Sequence, residues 1–318
     1  TTAFYSDDSY LVHGLALEKE NIKKARGYIH DQDKYGVVSV EYWDKENLPY
    51  ANNTVNLLVA QSPVKFSKDE MMRVLAPNGV LMMKREGKWN KYVKPRPEGI
   101  DQWTHYLHGP DNNAVAKDTV IGPPNSIQWV SSPPYARSHE FNSSMAAMVS
   151  SKDKIFYIWD EGPIGIVDKR LPSKWKLIAR NAFNGKLLWK RPMPNWGWRQ
   201  WHKESRWDNP RHRAAMLRLL PPSTPRRLVA DSGKIYVTLG YDAPVSEIDA
   251  SNGKKIREFK QTDLTEEILL QNDTLILRVK TKDNPPEKNV WGNMPHQSGK
   301  VMAISTLTGQ TLWKTDTS

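Results

Sequence analysis

The 318-residue sequence predicts a two-part chain: an α/β unit over residues 1–95, a linker over 96–127, and an all-β array over 128–318. Short apolar strands alternate with helical segments before residue 85, which is the pattern of an α/β unit. A strand–turn–strand segment recurs three times after residue 175, which is the pattern of a repeat array.

In the first unit, residues 10–16 (YLVHGLA) read as a short buried strand and 18–28 (EKENIKKARGY) as a helix with a polar face. Residues 37–43 (VVSVEYW) are β-branched and read as a second strand. Residues 55–60 (VNLLVA) form a continuous apolar run, the pattern of a central parallel strand buried on both faces. Ser67 caps a helix over 68–75, Pro77, Asn78 and Gly79 make a turn, and 80–84 is a further strand. Short links between alternating strands and helices predict one parallel sheet. Residues 85–99 are rich in Lys, Pro and Gly, the composition of a linker.

The three repeated segments are KLIARNAFNGKLLWK, VSEIDASNGKKIREF and KVMAISTLTGQTLWK, with turn glycines at 185, 253 and 309. Each glycine supplies the positive φ that a hairpin turn needs. Strands at 154–159, 234–239 and 274–279 precede them in turn, two of these following the turns Asp231-Ser232-Gly233 and Gln271-Asn272-Asp273. The module predicts propeller blades with insertions; about 190 residues at about 40–50 per blade predict roughly four. A closed ring takes more blades, so the sequence predicts an incomplete ring, a fragment of a longer product. Its open edges would need missing blades or a partner chain as cover. Trp189 and Trp313 read as residues that dock one blade on the next.

Composition excludes several classes. Cysteine is absent, which removes disulfides, thiolate metal sites and a Cys nucleophile. No apolar run reaches the roughly 18 residues of a membrane span. Residues 1–10 (TTAFYSDDSY) lack the basic and apolar regions of a secretory signal. The net charge is +11, and its excess sits at residues 169–227, where 16 Lys/Arg face only Glu204 and Asp208. Six Trp share that stretch. Such a patch attracts anions, and its Trp faces suit stacking. No nucleic-acid-binding module accompanies the charge, so nucleic acid is not the expected partner.

Residues 10–84, with VHGLALEKENIKKAR, DKENLPYANNTVNLLVA and MMRVLAPNGVLMMK, resemble the middle and end of a class I S-adenosylmethionine-dependent methyltransferase. The resemblance implies that the acidic residue ending the second family strand holds ribose; Ala16 stands there, with Glu18 two residues on. Asp44 matches the acid that faces adenine, and Asn56 replaces the usual Asp before the LLV strand. The glycine-rich first loop does not precede Tyr10, which implies an inactive or truncated Rossmann-like unit. Residues 128–314 resemble the repeat of pyrroloquinoline-quinone-type propellers, the quinoprotein alcohol dehydrogenase-like superfamily, which also holds non-catalytic assembly lipoproteins. The propeller resemblance implies an exported, periplasmic protein; the methyltransferase resemblance implies the cytoplasm.

A quinone site needs cations for three carboxylates, aromatic faces for the ring, and calcium held by carboxylates. The candidate cofactor-binding residues are Arg137, His139, Arg226, Glu266, Trp196, Trp198 and Trp201. The candidate catalytic residues are Asp160, Glu161 and Glu267, which follow or begin blade strands. Arg227 stands beside Arg226. The vicinal Cys pair of many quinoprotein dehydrogenases has no counterpart. His105 and His108 lie three apart in IDQWTHYLH, but no third His or carboxylate falls at a matching spacing, so no metal site is expected. The insertion at 195–225 joins Trp, Arg and His, and long insertions on a blade face tend to be functional. Three readings follow. The first is a non-catalytic propeller binding an anionic small molecule, a polysaccharide or a partner protein. The second is a pyrroloquinoline-quinone- and calcium-dependent oxidoreductase of alcohols or sugars. The third is a methyltransferase.

Overall fold

The computed structural model describes residues 1–61, 65–120, 122–123, 127–132, 144–163, 173–197, 200, 221–281 and 299–317. The chain is mostly β and divides into two compact units. The first holds Thr1–Ile100, Val120–Trp129 and Phe183–Leu187; the second holds Asp101–Thr119, Val130–Ala182 and Leu188–Ser318.

In the first unit, β1 (Val12–Ala16) pairs in parallel with β2 (Val38–Tyr42), and α1 (Lys19–Asp31) connects them. Ile22 and Ile29, two helical turns apart, put one stripe of α1 onto Val38 and Val40. A second sheet has the order β3-β4-β5, formed by β3 (Val55–Ala60), β4 (Leu75–Arg85) and β5 (Lys88–Val93). β3 and β4 are parallel, joined through α2 (Lys68–Val74), while β4 and β5 form an antiparallel hairpin. The Ser67 hydroxyl accepts the Glu70 amide at 3.1 Å, and Asp69 and Glu70 complement the start of α2 as Arg73 does its end. Arg73 also reaches the carbonyls of Leu48 and Tyr50 and the Asn52 side chain, which ties the preceding loop to the helix.

Three sequence expectations change here. The single parallel sheet is two small sheets, and β3 is an edge strand with half-exposed residues rather than a buried central one. Pro77, Asn78 and Gly79 lie within β4 at a register shift, not in a turn between elements. Residues 88–93 are a strand rather than linker, because Glu86 and Gly87 adopt φ of 50° and 80°, the tight turn that closes a two-residue hairpin.

The second unit repeats one design three times among the described residues, where length alone predicts about four. The first sheet runs β6 (Met145–Ser151), β7 (Lys154–Asp160), β8 (Trp175–Asn181), β9 (Leu187–Pro192). The second runs β10 (Leu228–Asp231), β11 (Lys234–Thr238), β12 (Val245–Asp249), β13 (Lys255–Glu258). The third runs β14 (Thr265–Gln271), β15 (Thr274–Lys280), β16 (Gly299–Ser305), β17 (Thr311–Thr317). Each is a meander in chain order. The first hairpin of each turns on two residues of positive φ: Lys152-Asp153, Ser232-Gly233 and Asn272-Asp273.

The last hairpin of each explains the repeated sequence. The residue before the glycine, Asn184, Asn252 or Thr308, accepts through its side-chain oxygen from the amide after the glycine. Gly185, Gly253 and Gly309 have φ of 67°, 72° and 75°. Trp189 of β9 lies flat against Gly253 of the next sheet, where an added Cβ would meet the ring at 2.6 Å, and its indole donates to the Ala250 carbonyl. Arg257 takes the same place against Gly309. Gly253 is therefore required twice, by backbone angle and by the ring it faces, whereas Gly309 is required by its angle alone, the Arg257 guanidinium standing 3.7 Å from an added Cβ. Trp313 departs from expectation: its side chain is 48% exposed.

The core follows the same order. Val149, Phe156, Ile158 and Leu177 of the first sheet pack with Leu228, Ile235 and Ile248 of the second. Val229, Tyr236 and Phe259 pack with Ile268, Leu277 and Ile304 of the third. Gly253→Ala is expected to lower the unfolding free energy by about 3 kcal/mol, from left-handed strain plus displacement of Trp189. Gly233→Ala has φ +85° and no neighbour within 4 Å, and is expected to lose only about 1 kcal/mol. Denaturant titration of both checks this, and equal losses would mean that Trp189 gives way freely.

Candidate functional site

β6, β10 and β14 each begin a meander and have a free edge within it. Three consecutive residues supply that edge. The Ser150 amide donates to the Trp103 carbonyl at 2.7 Å, and the Ser150 hydroxyl accepts the Trp103 amide at 3.0 Å. The Ala230 amide donates to the Thr104 carbonyl at 3.0 Å. The Leu270 amide donates to the His105 Nε2 at 3.0 Å. Ser150, Ala230 and Leu270 are each the second-to-last residue of their strands, so equivalent amides of three sheets end on residues 103–105.

The segment is held in shape by its own polar groups. Asp101 accepts the Gln102 and Lys117 amides and His108 Nε2, the last at 2.7 Å. Burial alone would raise the Asp101 pKa; those hydrogen bonds outweigh it and hold the carboxyl below the usual range. Trp103 meets the His108 ring edge-on, and its indole donates to the Tyr106 carbonyl. His105 is 3% exposed. Because Nε2 accepts from Leu270, the ring proton sits on Nδ1, 2.7 Å from the Thr104 hydroxyl. Burial pushes the His105 pKa down to about 4, aided by His108 and opposed by Asp231 and Asp111.

Beside this segment three predicted or adjoining side chains converge. Arg226, in the 3-10 turn Thr224–Arg227 ahead of β10, forms an ion pair with Glu267 of β14. Its guanidinium lies 5.2 Å from the centroid of the Tyr106 ring, which is 41% exposed. A cation over an aromatic face, paired to a carboxylate, offers donors, acceptors and a stacking surface to one ligand. Glu266 pairs with Lys280 at 2.7 Å. Arg227 is buried, donating to the Tyr241 carbonyl and lying over the Tyr241 ring.

The other candidates lie elsewhere. Asp160 ends β7 and accepts the amides of Gly162 and Lys174, a loop-shaping role. Glu161 sits between Lys176 of β8 and Lys190 of β9. Burial would raise the Glu161 pKa, but the two ammonium groups lower it below the usual range. Trp196 is a core residue, its indole donating to the Thr238 carbonyl and its ring packed near Trp175 and Tyr241. Arg137, His139, Trp198 and Trp201 lie outside the described residues. Sequence reasoning misses Tyr106, whose nearness to Arg226 and Glu267 no spacing reveals. The aromatic and His cluster around it was the available signal.

The depressed His105 pKa makes stability pH-dependent. The unfolded chain takes up the His proton near 6.5 and the folded chain only near 4. The contribution is complete above pH 6.5 and is lost as pH falls toward 4. His105→Gln keeps an acceptor for the Leu270 amide without the titration. From pH 7 to 4 the unmodified chain is expected to lose about 3 kcal/mol more than this variant. Parallel pH profiles of the two would contradict a buried neutral His105.

No protein-family model matches the chain, and no curated protein matches it. The likeness to three solved structures is weak. The [4+2]-cyclase SpnF is 24% identical over 24% of this chain and 32% of its own, with a TM-score of 0.22. The quinohemoprotein alcohol dehydrogenase from Comamonas testosteroni is 12% identical over 56% of this chain and 21% of its own, at 0.29. Saccharomyces cerevisiae Sqt1 is 11% identical over 57% of this chain and 60% of its own, at 0.18. The chain thus spans less than two thirds of each of these proteins.

Proposed function

We propose that the three meander sheets are successive propeller blades that serve as a binding scaffold rather than a catalyst. The ligand class is an anionic saccharide chain. The observation that carries this is the use of residues 103–105 to finish the edges of all three leading strands. The chain's own backbone takes the place where the blades meet, leaving recognition to side chains beside it. Tyr106 offers a ring face for a sugar, the Arg226–Glu267 pair offers hydrogen bonds to hydroxyls, and the basic surplus at 169–227 attracts carboxylates. In the same reading the first unit is a methyltransferase-like remnant without activity. Its two candidate acids are spent locally, Glu18 on Asn21 and Asp44 on Tyr42.

Three of the residues named for a quinone–calcium site are engaged within the protein. Trp196 is buried, and Glu266 and Glu267 are each matched by cations. Titration calorimetry with a polyuronate oligosaccharide is expected to give saturable binding. Tyr106→Ala and Arg226→Ala should each weaken it about tenfold. Absence of binding by the folded chain, or calcium-dependent tryptophan quenching by pyrroloquinoline quinone that is lost in Arg226→Ala, would overturn the proposal.

A further inference from the structure

We propose that the outer face of the β3–β4–β5 sheet, with the end of the β4–β5 hairpin, docks on an anionic lipid bilayer. The cross-strand register puts Leu57, Val59, Val80, Met82, Trp89 and Val93 on one face. The opposite face carries Leu58, Ala60, Leu81, Met83 and Tyr92, which share a core with Met71 and Val74 of α2. Among the described residues none of the six side chains on the first face joins a core cluster, with Val59, Val80 and Met82 half-buried. Leu57, Trp89 and Val93 are 48%, 45% and 50% exposed. Sheets with parallel strands are ordinarily covered on both faces, and contiguous exposed apolar surface marks an interaction site.

The surrounding charge identifies the occupant. Lys84 and Lys91 stand on the same face as Trp89, and Arg85 and Lys88 face each other across the turn. Glu86 is the single acid between residues 84 and 96. Among the described residues no ion pair engages Lys84, Arg85, Lys88 or Lys91, and Lys84 leans over the Trp89 ring. Two uncompensated cations on this face, Lys84 and Lys91, with Arg85 and Lys88 at the hairpin end on the other side, oppose a second copy seated face to face. The aliphatic side chains give nothing to the bases of a nucleic acid. A bilayer surface meets both features: anionic headgroups take the cations, and the Trp ring and aliphatic chains enter the boundary of the acyl region.

The test is cosedimentation of the whole chain with phosphatidylcholine vesicles, and with vesicles of phosphatidylcholine and phosphatidylserine in equal amounts. Binding is expected for the anionic vesicles, weakening as salt rises. Replacing Lys84 and Lys91 together by Ala should weaken it roughly 20-fold, at about fivefold per cation. Trp89→Ala should weaken it several-fold while circular dichroism stays unchanged. Replacing the exposed Lys23 and Lys24 of α1 by Ala removes equal charge and should change little. No preference for anionic vesicles would overturn the proposal, as would equal losses in the two double variants. Binding of a single-stranded oligonucleotide with none to vesicles would overturn it in favour of nucleic acid.

Discussion

Every β-sheet has to dispose of its edges, and the second unit depends on how three of its edges are closed. A leading strand left open exposes unpaired amides, which costs stability and invites wrong pairing. Residues 103–105 answer this for β6, β10 and β14 with one residue per sheet. Two acceptors are carbonyls, indifferent to side chain. The third is an imidazole nitrogen, which fixes His105 as neutral and as one tautomer. The Asp101–His108 bond and the Lys117 amide hold the segment in the shape that presents all three acceptors. The stability of the second unit and the protonation of one residue are thereby linked.

Outside that segment, coherence comes from the junctions between sheets. Two of the turn glycines seat a side chain of the neighbouring sheet, Gly253 under Trp189 and Gly309 beside Arg257, while Gly185 faces the Trp129 ring. The two are not equivalent. Trp189 packs into the core of the first two sheets, whereas Arg257 also pairs with the buried Glu247, which Lys234 reaches from the adjacent strand. One junction rests on an indole and the next on a guanidinium that its own sheet holds by an ion pair. Among the described residues, part of the positive charge that looks like an anion patch in the sequence is taken up by the protein's own acceptors. Lys176 and Lys190 hold Glu161, and Arg191 donates to the Gly253 carbonyl.

The meanders are legible in the sequence because their turns carry local chemistry. Asn or Thr before a glycine, and paired residues of positive φ, are written into adjacent positions. α2 is legible for the same reason, through Ser67. The β4–β5 hairpin is hidden because Lys- and Pro-rich composition reads as linker while Glu86-Gly87 carries the turn. The split of the first unit into two sheets is hidden because strand patterns specify faces but not lateral neighbours. Of the site, Arg226 and Glu267 are legible as charges flanking strands. Tyr106 is not, since its approach to Arg226 spans 120 positions and depends on where the 101–108 segment is seated. The backbone ties of Trp103 and Thr104 leave no side-chain signal at all.

The most direct test of this account is amide hydrogen exchange at Ser150, Ala230 and Leu270, read against the interior ladders of the same strands. If residues 103–105 close the three leading edges, all three amides are protected as strongly as interior ladder amides, and Leu270 alone loses protection as His105 titrates. Exchange of the three at the rate of exposed loop amides would contradict it, and would leave the sheets held by their core and glycine junctions alone.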